Sequence, residues 1–297
     1  MELNEDLTII HAYLCADGYV TRNSPTQKHK YYKLGLRNTN YTLLKDFHDR
    51  FNRYFKVCPN LYIGQRCEKG SRKIYENMTN SFGSFYSYEW KMPKMDNEKL
   101  IKLWLRTYFD CEGWVFCKSH QNRHVGVDCV NEHALNQVKK ELEKFGIRII
   151  KKVVKDGKMF RLLIYGKENI IKFQKEVNFN HPDKKVKLQE AISDFVDYNW
   201  KIENNSESIR SILLEKVTIK KPYLVRIFSR EERNLKILGK RLNKFFKIEG
   251  ININKNFNGL GTQYFSLNIN RIDEVRKLIK HNLINPQQLL KIRREVF

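Results

Sequence analysis

The chain lacks several features that mark common classes of protein. It has no apolar run of membrane-spanning length, and its N-terminal residues do not have the pattern of a secretory signal. It has only six cysteines and no Cys-x-x-Cys pair, which argues against a structural zinc site. These absences predict a cytoplasmic protein with reduced thiols.

Acidic residues are scarce beside basic ones. The 297 residues include 56 Lys and Arg against 33 Asp and Glu, a formal net charge of +23. Such an excess favours a polyanionic partner held by salt-sensitive phosphate contacts. A cationic protein of membrane surfaces is the competing class, and the lack of apolar runs favours nucleic acid. The length allows one large domain or two to three small ones.

A short motif occurs twice, at Ile10–Val20 and Leu105–Val115. Each copy is an apolar run followed by an acidic residue, a glycine, an aromatic residue and a valine. A glycine after the last helical residue predicts a helix end in the left-handed conformation. Each copy therefore predicts a helix whose last turn carries a carboxylate, Asp17 or Glu112, followed by a strand.

Small side chains lie four residues apart in both predicted helices. They are Ala12 and Ala16 in the first copy, and Thr107 and Cys111 in the second. This spacing lets two helix backbones approach closely. If the two helices pack on each other, the two carboxylates converge, which is unfavourable unless a cation lies between them.

The pair of motifs resembles the LAGLIDADG homing endonucleases of the single-chain, two-motif type, from about Leu7 to Ser193. The resemblance implies that the motif helices join two half-domains and that Asp17 and Glu112 bind metal. We expect Mg²⁺, with Mn²⁺ as a substitute, because hard oxygen ligands on few side chains suit these ions. Two amphipathic helices with ordinary glycine caps remain the alternative interpretation.

Hydrophobic periodicity predicts the elements that follow the first motif. The expected elements are strands at Tyr19–Asn23 and Lys30–Arg37, a helix at Tyr41–Phe55, strands around Leu61–Ile63 and Ser84–Trp90, and a second motif helix starting near Asp96.

The order repeats after the second motif. The expected elements are strands at Trp114–Ser119 and Val125–Val130, a helix at Glu132–Phe145, a hairpin of Ile147–Lys155 and Met159–Tyr165, and helices at Lys167–Val177 and after Pro182. Aligning Leu44 with Leu135 also aligns Asn40 with Asn131. The predicted fold class is α+β, with two pseudo-symmetric αββαββα half-domains paired through their motif helices.

The resemblance leaves the tail unexplained. After a polar linker at Glu203–Ser208, the same order of elements starts again, and Asn178–Pro182 and Asn282–Pro286 fall at corresponding places. The tail is either a degenerate third repeat without a motif helix or an unrelated α/β module. The expected domains are residues 1–93, 94–202 and 203–297.

The resemblance also implies a basic residue near the metal, and the best matches by position are Lys184 and Lys91. Either residue is equally well explained as a phosphate contact. Asp110 is a weaker ligand candidate, because Cys15 stands at its partner position and a capping role suits it better. Arg37 and Asp128 lie at equivalent strand ends, and an acid at Asp128 suggests an ion-pair partner.

The strands after each motif carry many basic and aromatic side chains, which suit a ribbon in the major groove of double-stranded DNA. A solvated basic sheet face is the alternative. The expected DNA-binding residues are Tyr19, Arg22, Lys30, Tyr32, Lys33, Arg37, Lys118, Gln121, Arg123, Lys155, Lys158 and Arg161.

The sequence thus predicts a monomeric, site-specific endonuclease of the homing type that cuts double-stranded DNA with one carboxylate from each motif helix. Two alternatives stay open. One is a non-cleaving binder on the same fold, such as an intron RNA maturase or a DNA-binding regulator, and the other is a different basic enzyme.

Overall fold

The computed structural model describes residues 1–24, 26–28, 31–118, 121–149, 153–195, 200–220, 223–257, 263–290 and 292. The chain forms two compact units, Met1–Phe195 and Val196–Phe297. Each unit has its own hydrophobic core. Across the described ranges, no helix is long and apolar enough to cross a membrane.

The first half of the first unit is a four-stranded antiparallel sheet with three helices. Its strands lie in the order β1-β2-β4-β3. The elements are α1 (Glu5–Cys15), β1 (Gly18–Arg22), β2 (Tyr32–Arg37), α2 (Tyr41–Phe55), β3 (Asn60–Tyr62), β4 (Arg66–Gly70) and α3 (Arg72–Phe82).

The second half has the same strand order, β5-β6-β8-β7. Its elements are α4 (Glu98–Glu112), β5 (Gly113–Lys118), β6 (Gln121–Cys129), α5 (Glu132–Lys144), β7 (Val154–Asp156), β8 (Met159–Tyr165), α6 (Lys167–Glu176) and α7 (Pro182–Ser193).

The second unit shows this arrangement a third time, with strands ordered β9-β10-β12-β11. Its elements are α8 (Ser206–Lys216), β9 (Thr218–Lys220), β10 (Leu224–Ser229), α9 (Glu232–Phe246), β11 (Ile251–Phe257), β12 (Gln263–Ile269), α10 (Ile272–Lys280) and α11 (Pro286–Leu289). The predicted α+β class with repeated αββ units is confirmed.

Turn geometry matches between the two units as well. Lys56 after α2 and Lys247 after α9 are both left-handed, with φ of 55° and 54°. Asn178 and Asn282 are also left-handed, and each precedes a helix that begins with proline. Non-glycine residues rarely adopt this conformation, so the shared positions favour a third repeat over an unrelated module.

The predicted strand at Ser84–Trp90 is wrong. This aromatic stretch is a series of turns, in which the Glu89 and Trp90 amides both donate to Tyr86 O. Phe85 and Trp90 are buried as separate anchors while Tyr86 is exposed. The missing strand is β4, whose sequence Arg-Cys-Glu-Lys-Gly offers one buried apolar side chain and so lacks a clear alternation.

Several predicted boundaries also differ from the structure, and the strand expected at Ile147–Lys155 is the shorter β7 (Val154–Asp156). Asn97, rather than Asp96, caps α4, and its side chain accepts from Lys99 N. The expected linker at Glu203–Ser208 contains the start of α8, a helix capped by the Asn205 side chain. Short polar runs with Asn and Ser suit both linkers and helix starts, which explains the error.

All six cysteines are free thiols. Cys15, Cys67 and Cys129 are buried, Cys111 is half-buried, and Cys58 and Cys117 are exposed. This distribution agrees with the expected use of cysteine as a small packing residue.

Candidate functional site

The site is built on the pair of motif helices, α1 and α4, which pack against each other. Helix α1 is buried on all sides from Leu7 to Cys15. A polar contact crosses the interface, in which Trp104 Nε1 donates to His11 Nδ1 over 3.1 Å. The packing brings the C-terminal ends of both helices together.

The glycine that ends each motif helix is required for a reason other than the expected one. Neither Gly18 nor Gly113 is among the left-handed residues, and Gly113 is extended, with φ of −77°. A Cβ at Gly18 would lie 2.5 Å from Leu14 Cα, and one at Gly113 would lie 2.6 Å from Phe109 O. The glycines therefore let each strand leave close to the last turn of its helix.

The two acidic residues before these glycines converge, as predicted. Burial, together with the nearby charge of Asp17, raises the pKa of Glu112 to about 7. On the other side, Asn38 Nδ2 donates to Asp17 Oδ2 over 2.8 Å and fixes that carboxylate. Two carboxylates of this kind form the centre of the candidate site.

Lys184 lies near the two carboxylates, at the C-terminal end of α4. Its ammonium donates to Asp110 O over 2.6 Å and to Cys111 O over 2.9 Å, which satisfies carbonyl groups at the helix end. Burial lowers the pKa of Lys184, while the neighbouring acids oppose that shift. Lys184 therefore contributes both a helix cap and a positive charge beside Glu112.

Asp110 has a structural role beside the start of α7. Its Oδ1 accepts from Asn180 N at 2.8 Å and from His181 N at 2.9 Å, just before α7 begins. Burial raises the pKa of Asp110 to about 7. The side chain thus ties α4 to the start of α7.

Lys91 lies elsewhere. It lines a recess of about 430 Å³ together with Met1, Leu3 and His11. The charges that act on Glu112 come from Asp17, Lys184 and Asp128. The structure thus brings one of the two predicted basic residues to the carboxylates.

Each sheet has one face covered by helices and one open face. In the first sheet, strand register places Tyr19, Lys33 and Arg37 on the open face, where the Arg37 guanidinium lies 5.1 Å from the Tyr19 ring centroid. Tyr32 and Arg22 are paired on the other face, where Tyr32 contacts the Tyr75 ring of α3. The structure thus separates these five residues between the two faces of the sheet, and their DNA contacts stay predictions.

The second half separates the predicted residues in the same way. Arg123 is half-buried, donates to Asp194 Oδ2 over 3.0 Å and lies over the Phe195 ring, so its charge is already paired. Arg161 is on the open face and forms a bidentate ion pair with Asp128, at 2.7 and 2.9 Å. The ion-pair partner suggested for Asp128 is therefore present.

The structure describes the remaining predicted DNA-binding residues only in part. Lys118 and Lys158 are exposed. Lys30 lies outside the described residues, and the side chains of Gln121 and Lys155 also lie outside the description. Their DNA contacts stay predictions.

Sequence reasoning missed the residue that holds Asp17. Asn38 Oδ1 accepts from Asn40 N over 2.8 Å, and Cys129 Sγ accepts from Asn131 N over 3.3 Å at the equivalent place. The alignment of Asn40 with Asn131 already paired Asn38 with Cys129, so that alignment contained the signal.

The carboxylates at the site supply only part of a coordination shell for the expected metal. Among the residues described, no group of three or more His, Cys, Asp and Glu side chains could hold a metal ion. Two converging carboxylates with water and phosphate oxygens are still a donor set that Mg²⁺ accepts, because this ion keeps several waters when bound. Burial raises the pKa of Glu112 most and the charge of Asp17 raises it further, and a bound cation would oppose both effects.

Comparison with known families identifies the second half. Residues 99–178 match the family described as LAGLIDADG-like domain. Over this stretch the chain resembles that family. The stretch contains most of α4 with Glu112, and the sheet β5-β6-β8-β7. The resemblance stated from the two motifs is confirmed.

Solved structures similar to the chain include homing endonucleases. Mesophilic variants of I-DmoI are 16% identical, with a TM-score of 0.45, over 62% of this chain and 99% of theirs. I-WcaI bound to its DNA recognition sequence is 15% identical, with a TM-score of 0.42, over 63% and 88%. Full-length WhiA from Thermotoga maritima is 11% identical, with a TM-score of 0.44, over 67% and 64%. No curated protein sequence matches the chain.

Proposed function

We propose that the chain is a metal-dependent endonuclease of the homing type that cuts double-stranded DNA. The observation that carries the proposal is the convergence of Asp17 and Glu112 at the ends of paired helices, where the charge of Asp17 helps to raise the pKa of Glu112. A protein that only binds DNA gains nothing from two carboxylates facing phosphate, since like charges repel.

Asp17 and Glu112 would hold divalent cations, which would neutralise phosphate charge and supply a nucleophile from bound water at neutral pH. The hydrogen bond from the Asn38 side-chain amide to Asp17 Oδ2 orients that carboxylate and leaves its other oxygen for a ligand. Tyr19, Lys33 and Arg37 on the open face of the first sheet would contact the DNA.

Glutamine at position 112 tests the proposal. We expect Glu112→Gln and Asp17→Asn to lose cleavage in Mg²⁺ by at least a hundredfold while DNA affinity stays equal or rises, because each change removes a ligand and a negative charge. The substrate is the chain's own coding locus with its intervening sequence removed. Glu98→Gln, at the exposed start of α4, is the matched control. Cleavage by Glu112→Gln at the wild-type rate would refute the assignment.

A non-cleaving nucleic-acid binder is the second candidate, and Lys184 favours it. The Lys184 ammonium already places a positive charge near Asp17 and Glu112, so it could neutralise part of the charge that a metal ion would neutralise. If Lys184 takes the place of the metal, Mg²⁺ should leave the melting temperature of the wild-type protein unchanged.

The two candidates differ in how stability responds to Mg²⁺. For a metal site, we expect millimolar Mg²⁺ to raise the melting temperature of the wild type and not that of Glu112→Gln, because a ligand that binds only the folded state stabilises it. Lys184→Met should lower the free energy of unfolding by about 1–3 kcal/mol, with or without Mg²⁺, because the carbonyl groups at the end of α4 lose their hydrogen-bond donor. Lys187→Met, an exposed change on α7, controls for lost charge.

The second unit is proposed to enlarge the nucleic-acid footprint rather than to catalyse. In α8, Lys216 and Val217 stand where the motif helices have an acid and a glycine. A copy with this end keeps the sheet but lacks a carboxylate that could hold metal.

A further inference from the structure

The face of the third sheet that lies away from its helices is lined with amide side chains, of which Asn252 and Asn254 are exposed and Asn268 is buried. Strand β11 reads Ile-Asn-Ile-Asn-Lys-Asn-Phe, and its asparagines Asn252, Asn254 and Asn256 alternate with residues on the opposite face. Ile251 and Ile253 face the core beneath α9. The three asparagines therefore form one row on the face away from the helices.

The strand register extends this polar surface. Asn252 pairs with Asn268, and Asn254 pairs with Ser266. Ser266 Oγ accepts from Asn256 Nδ2 at 3.0 Å and from Asn268 Nδ2 at 3.3 Å. Asn252 and Asn254 are exposed, so their amides stand on an organised polar floor.

This composition opposes the local preference of a strand. Asparagine is depleted in β-strands, yet four of them share this face. Sites where a local rule is broken in an otherwise consistent fold are places to look for function. The same face of the first sheet carries Tyr19, Lys33 and Arg37 instead, so the amide row is particular to the second unit.

The spacing of the row matches duplex DNA. Alternate residues of a strand lie roughly 6.6–6.8 Å apart, and two base-pair steps rise about 6.8 Å. In the major groove, an asparagine side chain can accept a hydrogen bond from adenine N6 and donate one to adenine N7. Arg226 and Lys220 lie on the same face, up to three strand spacings or roughly 14 Å from β11, where phosphates would border the groove.

We propose that the second unit reads double-stranded DNA through β11, with Asn252 and Asn254 selecting adenines two base pairs apart. This inference rests on the proposed function in that it takes double-stranded DNA as the ligand, and it names the sequence that this unit prefers.

Selection from a random duplex library tests the inference with the full chain. We expect the wild type to enrich A·T pairs at two positions two steps apart, with a preference of about fivefold to a hundredfold at each. Asn252→Ser with Asn254→Ser should lose that enrichment, because serine cannot make the paired contact. Asn254→Gln should keep adenine at its position. Asn243→Ser, on α9, is the matched control.

The result separates the inference from the proposed function. If the wild type selects a site and cuts it but shows no spaced A·T preference, or if the double variant keeps that preference, the amide row does not read bases. If the full chain selects no duplex at all in low salt, both the inference and the proposed function fail. Circular dichroism confirms that the variants are folded.

Discussion

His11 is a buried group that contributes to the response of the protein to acid. The ring is buried in the interface of α1 and α4, and burial lowers its pKa from 6.5 to about 3. Its Nδ1 accepts from Trp104, so the folded protein needs the neutral ring. In the unfolded chain the same ring binds a proton below about pH 6.5.

We expect His11 to lower the free energy of unfolding by up to about 1.4 kcal/mol per pH unit as the pH falls from 6.5 towards 3, because the unfolded state binds the extra proton in this window. Asp110 and Glu112, whose pKa values are raised to about 7, act in the opposite direction, since the folded state binds their protons first. Urea titrations of the wild type and His11→Asn from pH 7 to 4 isolate the contribution of His11. His11→Asn should be destabilised less by acid than the wild type, and His133→Asn, at an exposed site, should keep the wild-type slope. Equal slopes in the wild type and His11→Asn would contradict the burial of a neutral ring.

The sequence predicted correctly that the carboxylates at the ends of the two motif helices converge. Asp17 and Glu112 follow from a repeated motif, because the backbone spacing alone decides where a helix ends. The expected DNA contacts of Arg123 and Tyr32 rest on the basic and aromatic composition of their strands, and composition does not say which face of a sheet a residue occupies. Only the register of β1, β2 and β6 assigns those faces.

At the scale of elements, the motif helices depend on close approach between helix and strand. Gly18 and Gly113 each stand where a Cβ would meet the backbone of the preceding turn at 2.5–2.6 Å. Both contacts are with main-chain atoms, which cannot rotate away.

We expect Gly18→Ala and Gly113→Ala each to lower the free energy of unfolding by about 1–3 kcal/mol or more, because the strand must move off its helix. Gly113→Ala should also reduce cleavage, since Glu112 is the preceding residue. Gly70→Ala in β4 is the matched control, with its nearest neighbour at an ordinary 3.6 Å. Denaturant melts of the three variants would decide, and equal stability in all three would contradict the steric account.

The order of elements was largely predictable, because apolar periodicity identifies amphipathic helices such as α2 and α5. The exceptions were β4, α3 and α8. Strand β4 is only five residues long and has one buried apolar side chain, so its pattern is too short to detect. Helix α8 follows a polar stretch that suits a linker equally well.

For the whole molecule, each unit has its own hydrophobic core, so the tail can be removed without cutting a core. Trp200 and Ile292 belong to the core of the second unit, and the core of the first unit contains only residues before Val196. The charge of +23 is spread over both units.

We expect a chain ending at Phe195 to fold, to bind its DNA more weakly and to show a shallower dependence of affinity on salt. Each lost phosphate contact removes about 0.9 from the slope of log affinity against log salt. Binding from 50 to 300 mM salt would measure the slope, and sedimentation should show one chain per site. An unchanged affinity and slope in a folded truncation would assign the tail to another role.

The reactivity of a buried thiol reports how often the interface between α1 and α4 opens. Cys15 is buried in α1 beside His11, and burial raises its pKa well above the ordinary value, so a thiol reagent reacts with it only when α1 and α4 separate. Cys58 and Cys117 are exposed and would react at once, whereas Cys67 and Cys129 are also buried and Cys111 is half-buried, so a variant that keeps Cys15 as its one cysteine leaves a single slow phase. The rate of that phase measures how often the two motif helices separate, and bound DNA should slow it.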